Sequence, residues 1–313
     1  MNDEVSTRFP PHIALGSDGS LLLVGGRHNV LSLFSGRQDV SSESVRAFRE
    51  NNQTRREFCI QNKISYRMVV FPDKIVPFAA EVPGGHQISS IYDLHYKHKD
   101  LSDDVLYLDV EKKHYAVTDT HFSPVGMAVS TLQTLEGIIP GDLRSFHATC
   151  REHLKPEPEF FGDLGVQCMP PISERTHRLK GLARGRYGTN GLVAGNYGII
   201  DLNINEDSVT DKTLLIFGDS FFRQIFPCLT HFFRKIMFLR TRYFHYELVS
   251  AVSPDVILCG SAERYLSEVE EDSLRPHFLA APMLQGRSIQ PTERFAELWS
   301  EIIDSRELAR VGF

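Results

Sequence analysis

Four apolar residues in a row, Leu214-Leu215-Ile216-Phe217, stand between the polar pair Asp211-Lys212 and Gly218. A run of that length, bounded on both sides, predicts a short buried strand. Residues 221–233 are then rich enough in apolar side chains to form a helix directly after Gly218-Asp219-Ser220. Strand, sharp turn, helix is how an α/β sheet presents a side chain at the carboxyl edge of a strand, where such folds bind ligands. A serine placed there sits at a helix N-terminus, whose N–H groups and positive dipole end favour a developing oxyanion. Plain helix capping by Asp219 or Ser220 suits the stretch too and, on this stretch alone, is the favoured reading.

The patterning continues on either side. Residues 1–12 are polar and end in Pro10-Pro11, as expected of a loose tail. Two apolar stretches, 13–16 and 21–24, flank Asp18-Gly19 and predict a hairpin closed by Gly25-Gly26. Over 42–62, Val45, Phe48, Asn52, Arg55 and Cys59 share a face, which predicts an amphipathic helix capped by Ser41 or Ser42. A β-branched and aromatic run at 64–71 predicts a strand. Pro72-Asp73-Lys74 then opens a loop at its carboxyl end, a position where α/β proteins place function. A helix at 88–94 is expected to face a strand at 105–110, and 115–117 reads as another short strand. Ser123 is a good N-cap and Pro124 suits a first helical turn. Val125, Ala128, Val129, Leu132 and Leu135 repeat at helical spacing until Gly137.

Residues 138–212, with Pro140, Pro156, Pro158, Pro170 and Pro171 and many glycines, predict a loop-rich insertion rather than a second core, with an edge strand at 196–202. Strands at 235–240 and 254–260 and a short helix at 246–252 follow. A closing amphipathic helix at 291–305 carries Phe295, Leu298, Trp299 and Ile302 on its apolar face, so the only tryptophan reads as core. Alternating strands and helices imply a parallel sheet joined by crossovers and flanked by helices. Residues 13–313 are therefore expected to form one α/β domain.

Composition narrows the function classes. The 313 residues are 42% hydrophobic and 24% charged, with net charge −6 and a pI near 6.1. Nothing in that balance asks for nucleic acid or an anionic membrane. No apolar run approaches a membrane span, so membrane insertion is not expected. The stretch from Met1 to Ser6 lacks the basic and apolar parts of a secretory signal, and the expected compartment is cytoplasmic. Five cysteines, odd in number and without C-x-x-C, fit reduced thiols and argue against structural zinc. His95 and His98, in the basic run 95–99, are three apart but have no evident third ligand, so a solvated surface is expected there. The cluster Arg175, His177, Arg178, Lys180, Arg184 and Arg186 is read the same way rather than as an anion site. No metal and no cofactor is expected.

Serine needs a base to become a nucleophile, and histidine is the usual base near neutral pH. The histidine in turn needs a carboxylate to fix its tautomer. Asp119-Thr120-His121 supplies both, because residues two apart in an extended segment project to one side of the chain. Ser220 would complete the set. The plainer alternative is that Asp119 and His121 merely cap and pack at a helix entrance.

Asp119-Thr120-His121-Phe122 and Gly218-Asp219-Ser220 resemble the Asp-Thr-His-Trp and Gly-(Asp/Thr)-Ser motifs of the SGNH-hydrolase-like alginate O-acetyltransferase group, the AlgX/AlgJ type. Residues 16–26 resemble that family's Gly-x-Asp-Gly-Trp-Leu-Phe opening, and 69–74 its Val-Pro-(Asp/Ser)-Lys segment. Pro254-Asp255-Val256-Ile257-Leu258 and Glu263-Arg264-Tyr265-Leu266 resemble its later strand and Glu-Arg-Tyr-Leu signature. The resemblance implies an SGNH-like (flavodoxin-like) fold. It implies Ser220 as acyl-accepting nucleophile, His121 as general base and Asp119 as orienter, with Arg264 and Tyr243 as further substrate or oxyanion candidates. It also implies a carbohydrate acceptor, an acyl donor, and an acyl-donating protein partner; relatives are periplasmic. O-Acetyl transfer is the first reading, acetylester hydrolysis by the same three residues the second, and a non-catalytic glycan-binding module the third. Phe122 in place of tryptophan, and Ser20-Leu21-Leu22 in place of Trp-Leu-Phe, read as packing changes.

Overall fold

A computed structural model describes residues 7–97, 104–141 and 143–303. The chain begins with a small antiparallel pair, β1 (Ile13–Leu15) and β2 (Leu21–Leu23). The expected tail is not loose where it is described. Arg8 and Met169 exchange backbone hydrogen bonds of 2.8 and 3.0 Å, which ties the start of the chain to the middle. A short helix α1 (Val30–Phe34) leads to α2 (Ser42–Gln61), which Ser41 caps by accepting the Ser44 N–H at 3.1 Å. The face that α2 buries carries Arg55, whose guanidinium makes two 2.7 Å contacts with Asp272. That pairing lets a charge sit in the core, because a buried cation is tolerated only when paired.

Next come β3 (Ser65–Phe71), α3 (Ile91–His95) and β4 (Val105–Tyr107). The strand expected at 115–117 does not form. Tyr115 makes only an isolated bridge to Phe122, because the chain turns at 119–121 and leaves nothing longer to pair. Helix α4 (Pro124–Leu135) starts where the sequence places it, with the Ser123 hydroxyl accepting the Gly126 N–H. His95 closes α3, while His98 lies outside the described residues, so the histidine pair has no structural account.

The span read as loop-rich is the largest correction. It contains α5 (Ser145–His153), a hairpin of β5 (Leu154–Phe160) and β6 (Glu174–Leu179), and β7 (Arg186–Thr189) and β8 (Ile200–Ile204). Pro156 and Pro158 are tolerated because β5 belongs to a two-stranded ribbon with a free edge. Two members of the basic cluster are paired with acids. Lys180 meets Glu157 at 2.9 Å, and Arg186 reaches Glu297 and Glu301.

The remainder is β9 (Thr210–Gly218), α6 (Ser220–Leu229), β10 (Phe233–Arg240), α7 (Tyr246–Val252), β11 (Val256–Ala262), α8 (Ala280–Leu284) and α9 (Glu293–Ile302). Trp299 is half-buried and packs with Phe295 against the core rather than inside it.

The main sheet has seven strands in the order β4-β3-β11-β9-β10-β8-β7. Five are parallel as expected, and β8 and β7 join antiparallel to β10 and to each other. The sheet is therefore mixed, and β8 is internal, with β7 at the edge. From sequence, the strand at 196–202 is expected at an edge. The structure buries all five of its residues, between β10 and β7. Leu214, Leu215, Ile216 and Phe217 in central β9 are at most 2% exposed. Each contributes on the order of 1.5–3 kcal/mol of burial free energy, which fixes the carboxyl end of β9 rigidly. All five cysteines are buried thiols. No helix among the described residues is long and apolar enough to cross a membrane.

Candidate active site

β9 ends at Gly218. A side chain there would press on the Phe222 ring at 2.5 Å, so glycine lets α6 start hard against the sheet. Asp219 caps α6, accepting the Phe221 N–H at 2.9 Å, and its other oxygen accepts the Ala262 N–H at 2.8 Å at the end of β11. Capping and presentation, alternatives in sequence, coexist: Asp219 caps and Ser220 opens the helix, partly exposed on the rim of the sheet.

Asp119 lies in the turn ahead of α4. One of its oxygens accepts both the His121 N–H at 2.9 Å and Nδ1 of the His121 ring at 2.7 Å. On the other side of the ring, Nε2 is 2.8 Å from the Ser220 hydroxyl. The structure thus brings together Asp119, His121 and Ser220, whose side chains form one hydrogen-bonded line. Burial alone would push the Asp119 carboxyl up, but the hydrogen bond and charge of His121 hold it well below the ordinary carboxylate range. Burial alone would likewise lower the His121 imidazole, yet the Asp119 bond and the charges of Asp119 and Asp163 outweigh it and raise the pKa above 6.5.

Three supports hold the two segments in register, and none was singled out from sequence for this role. Gln224, one turn beyond Ser220, accepts the Phe122 N–H at 3.1 Å and donates to the Phe122 carbonyl at 2.8 Å. Phe122 itself is buried against Phe71, Tyr115 and Phe221. Lys74 is 2% exposed and its ammonium donates to the carbonyls of Ala116, Val117 and Asp119 at 2.6, 2.9 and 2.9 Å. Burial pushes that amine down to about 8.

The third support is Asp163, from the 138–212 span. It accepts the Thr120 N–H at 2.7 Å and the Thr120 hydroxyl at 2.5 Å, and lies 3.5 Å from His121 Nδ1. The donor atoms of Asp119, His121 and Asp163 fall within 4.8 Å of one another. Nδ1 of His121 is already used by Asp119, however, and the Asp163 oxygens by Thr120, so the cluster is closed by its own hydrogen bonds.

Arg264 and Tyr243 do not join the line. The Arg264 guanidinium pairs with Asp73 at 2.6 Å and lies over the Tyr265 ring. Its neighbour Glu263, fully buried, accepts from Ser90, Tyr107 and the Tyr92 and Asp73 N–H groups. Burial raises it to about 7 despite those donors. The Tyr243 hydroxyl donates to Glu270. The Asp73-Lys74 and Glu263-Arg264 motifs thus brace the turn that carries His121. Beside Gly218 and Asp219 the rim opens into a pocket lined by Asn196, Tyr197, Arg240, Arg242 and Tyr265.

The rim holds a second line of the same kind. Thr241 follows β10 as Ser220 follows β9, and its hydroxyl is 3.2 Å from His245 Nε2, whose Nδ1 is 2.9 Å from Glu247.

No protein-family model matches the chain, and no curated protein matches it in sequence. Solved structures do match in shape. PatB1 of Bacillus cereus aligns with a TM-score of 0.57 at 14% identity, over 82% of this chain and 99% of that one. PatB1 with a sulfonyl adduct aligns with 0.56 at 14% identity, over 83% and 100%. The O-acetyltransferase domain of Pseudomonas putida AlgJ aligns with 0.44 at 14% identity, over 89% and 100%. The chain shares the PatB1 fold, a mixed seven-stranded sheet flanked by helices.

Proposed function

We propose that the chain transfers an O-acyl group, acetyl in the first instance, to a carbohydrate hydroxyl through a covalent acyl-Ser220. The observation that carries this reading is the unbroken line from Asp119 through His121 to Ser220, at 2.7 and 2.8 Å, ending at a helix N-terminus. His121 Nε2 takes the Ser220 proton as Oγ bonds to the acyl carbon, and the Ser220 N–H at the start of α6 faces the developing oxyanion. The bond to the leaving group then breaks, and His121 returns the proton to it. A sugar hydroxyl next gives its proton to His121 as its oxygen bonds to the acyl carbon, and His121 passes that proton to Ser220 Oγ as the acyl–serine bond breaks. Asp119 keeps Nδ1 protonated and stabilises the imidazolium throughout. The sequence resemblance to alginate O-acetyltransferases supports acetyl as the group and carbohydrate as the acceptor.

Hydrolysis is the second reading. The His121 and Asp119 side chains are 19% and 15% exposed, so water reaches the same hydroxyl unless an acceptor excludes it. The test is incubation with p-nitrophenyl acetate, with and without oligosaccharides, reading acetylated sugar against free acetate. Intact mass should show one acetyl on the protein. PatB1 has been captured with a sulfonyl adduct, so a sulfonyl fluoride is a second probe. An adduct elsewhere than Ser220, or turnover unchanged in Ser220→Ala, defeats both readings. Glycan binding without ester turnover by the wild-type protein would favour a binding module.

A further inference from the structure

We propose that Asp163 is a second carboxylate of this relay, a positioning residue that holds Asp119 in place and shares the imidazolium charge of His121. The inference rests on the acyl-transfer reading above, and it adds a residue from a part of the chain that none of the resembling motifs reaches.

Asp163 lies on a loop docked against the Asp119 turn by a dense set of backbone contacts. The Leu164 and Gly165 N–H groups both donate to the Thr118 carbonyl, at 3.2 and 2.9 Å. The Gly162 N–H donates to the Thr118 hydroxyl at 3.0 Å. The approach is so close that a Cβ on Gly162 would lie 2.3 Å from the Thr118 oxygen. At the centre of this contact the Asp163 N–H donates to Asp119 Oδ2 at 3.0 Å, leaving Oδ1 to His121. Both Asp119 oxygens are thereby assigned, and the carboxylate is locked against rotation.

The Asp163 side chain works in the same direction. It fixes Thr120, the residue between the acid and the base, and brings a negative charge to 3.5 Å from His121 Nδ1. The charged groups that act on His121 are Asp119 and Asp163, which favour the imidazolium, and Arg264, which opposes it; Ser220 and Phe221 complete the ring's surroundings from α6. Lys74 lies behind the turn on the Asp119 carbonyl. Two carboxylates therefore face one cation. The Asp163 side chain is 40% exposed, so solvent screens part of its charge and its effect is that of a modulator beside Asp119.

The test is histidine NMR titration of the full chain, with the His121 resonance assigned by its loss in His121→Asn. Asp163→Asn keeps the shape and an oxygen for Thr120, and should lower the His121 pKa by about one pH unit. The acid limb of kcat/KM for p-nitrophenyl acetate should move down by the same amount. Asp163→Glu, which restores the charge, should recover most of the shift. A His121 titration unchanged in folded Asp163→Asn overturns the proposal, as does identical titration of the Asn and Glu variants. If the NMR shift appears while the wild-type protein turns over no ester, the acyl-transfer reading fails and the electrostatic role of Asp163 stands.

Discussion

Two hydroxyl–imidazole–carboxylate lines sit at the ends of adjacent strands, one after β9 and one after β10. Ser220–His121–Asp119 and Thr241–His245–Glu247 both have their hydrogen bonds in place. Their surroundings differ. Ser220 opens a ten-residue helix and is partly exposed, whereas Thr241 is 6% exposed and its hydroxyl also accepts the Tyr243 N–H. His245 is 1% exposed and immediately precedes α7, and Glu247 meets Arg275 at 3.4 Å. The second line is paired at both ends, and Thr241, although it borders the rim pocket, exposes little of itself to it. On the proposed reading, in which Ser220 reacts and Thr241 does not, hydrogen-bond geometry alone does not make a nucleophile. An accessible hydroxyl and donors aimed at the oxyanion are needed as well.

The sharpest way to break this contrast is to remove each hydroxyl. Ser220→Ala should cost on the order of 10⁴-fold or more in kcat/KM for an activated acetyl ester, while Thr241→Ala should leave turnover within a few-fold and lower the melting temperature. Equal losses would erase the distinction. The carboxylates give the next comparison. Asp119→Asn should cost roughly 10³–10⁴-fold by disturbing the His121 tautomer. Glu247→Gln should change stability by about 1–3 kcal/mol with turnover nearly intact, as urea unfolding and ester assays would show.

Lys74→Met probes the brace found only under the first line. Freeing three carbonyls should loosen the Asp119 turn and cost about 10²-fold in kcat/KM, with a stability loss read by the same unfolding series. The smallest effect is that of pH. His121 must be neutral to take the serine proton, and its carboxylate neighbours raise its pKa above 6.5. The acid limb of kcat/KM should therefore lie above pH 6.5 and fall about tenfold per pH unit below it. A profile flat from pH 8 to 5 would remove His121 from the role of base.

The sequence made the first line legible because its parts sit in strong local patterns. A four-residue apolar run stops at Gly218, and Ser123-Pro124 marks a helix start just after His121. Helix α2, the 13–24 hairpin and the late strands were readable for the same reason. Strand β7 was not, and β8 was legible only as an edge strand, because its buried polar residues Asp201 and Asn203 blur the pattern of an internal strand. Asp201 is satisfied by Arg223 and Tyr187, partners that no local spacing reveals. Asp163 was equally silent. It stands in an ordinary Gly-Asp-Leu-Gly loop, and its meaning comes only from contacts 43–44 residues away in the chain.

The bare α-carbon of Gly162 has one further consequence. Even a single methyl group there would act as a wedge between the inserted loop and the Thr118 carbonyl, prising the loop outward while every reacting atom kept its identity. On the acyl-transfer reading, this spot is a dial for activity that leaves Ser220, His121 and Asp119 untouched, and long-range tuning would be sought there first.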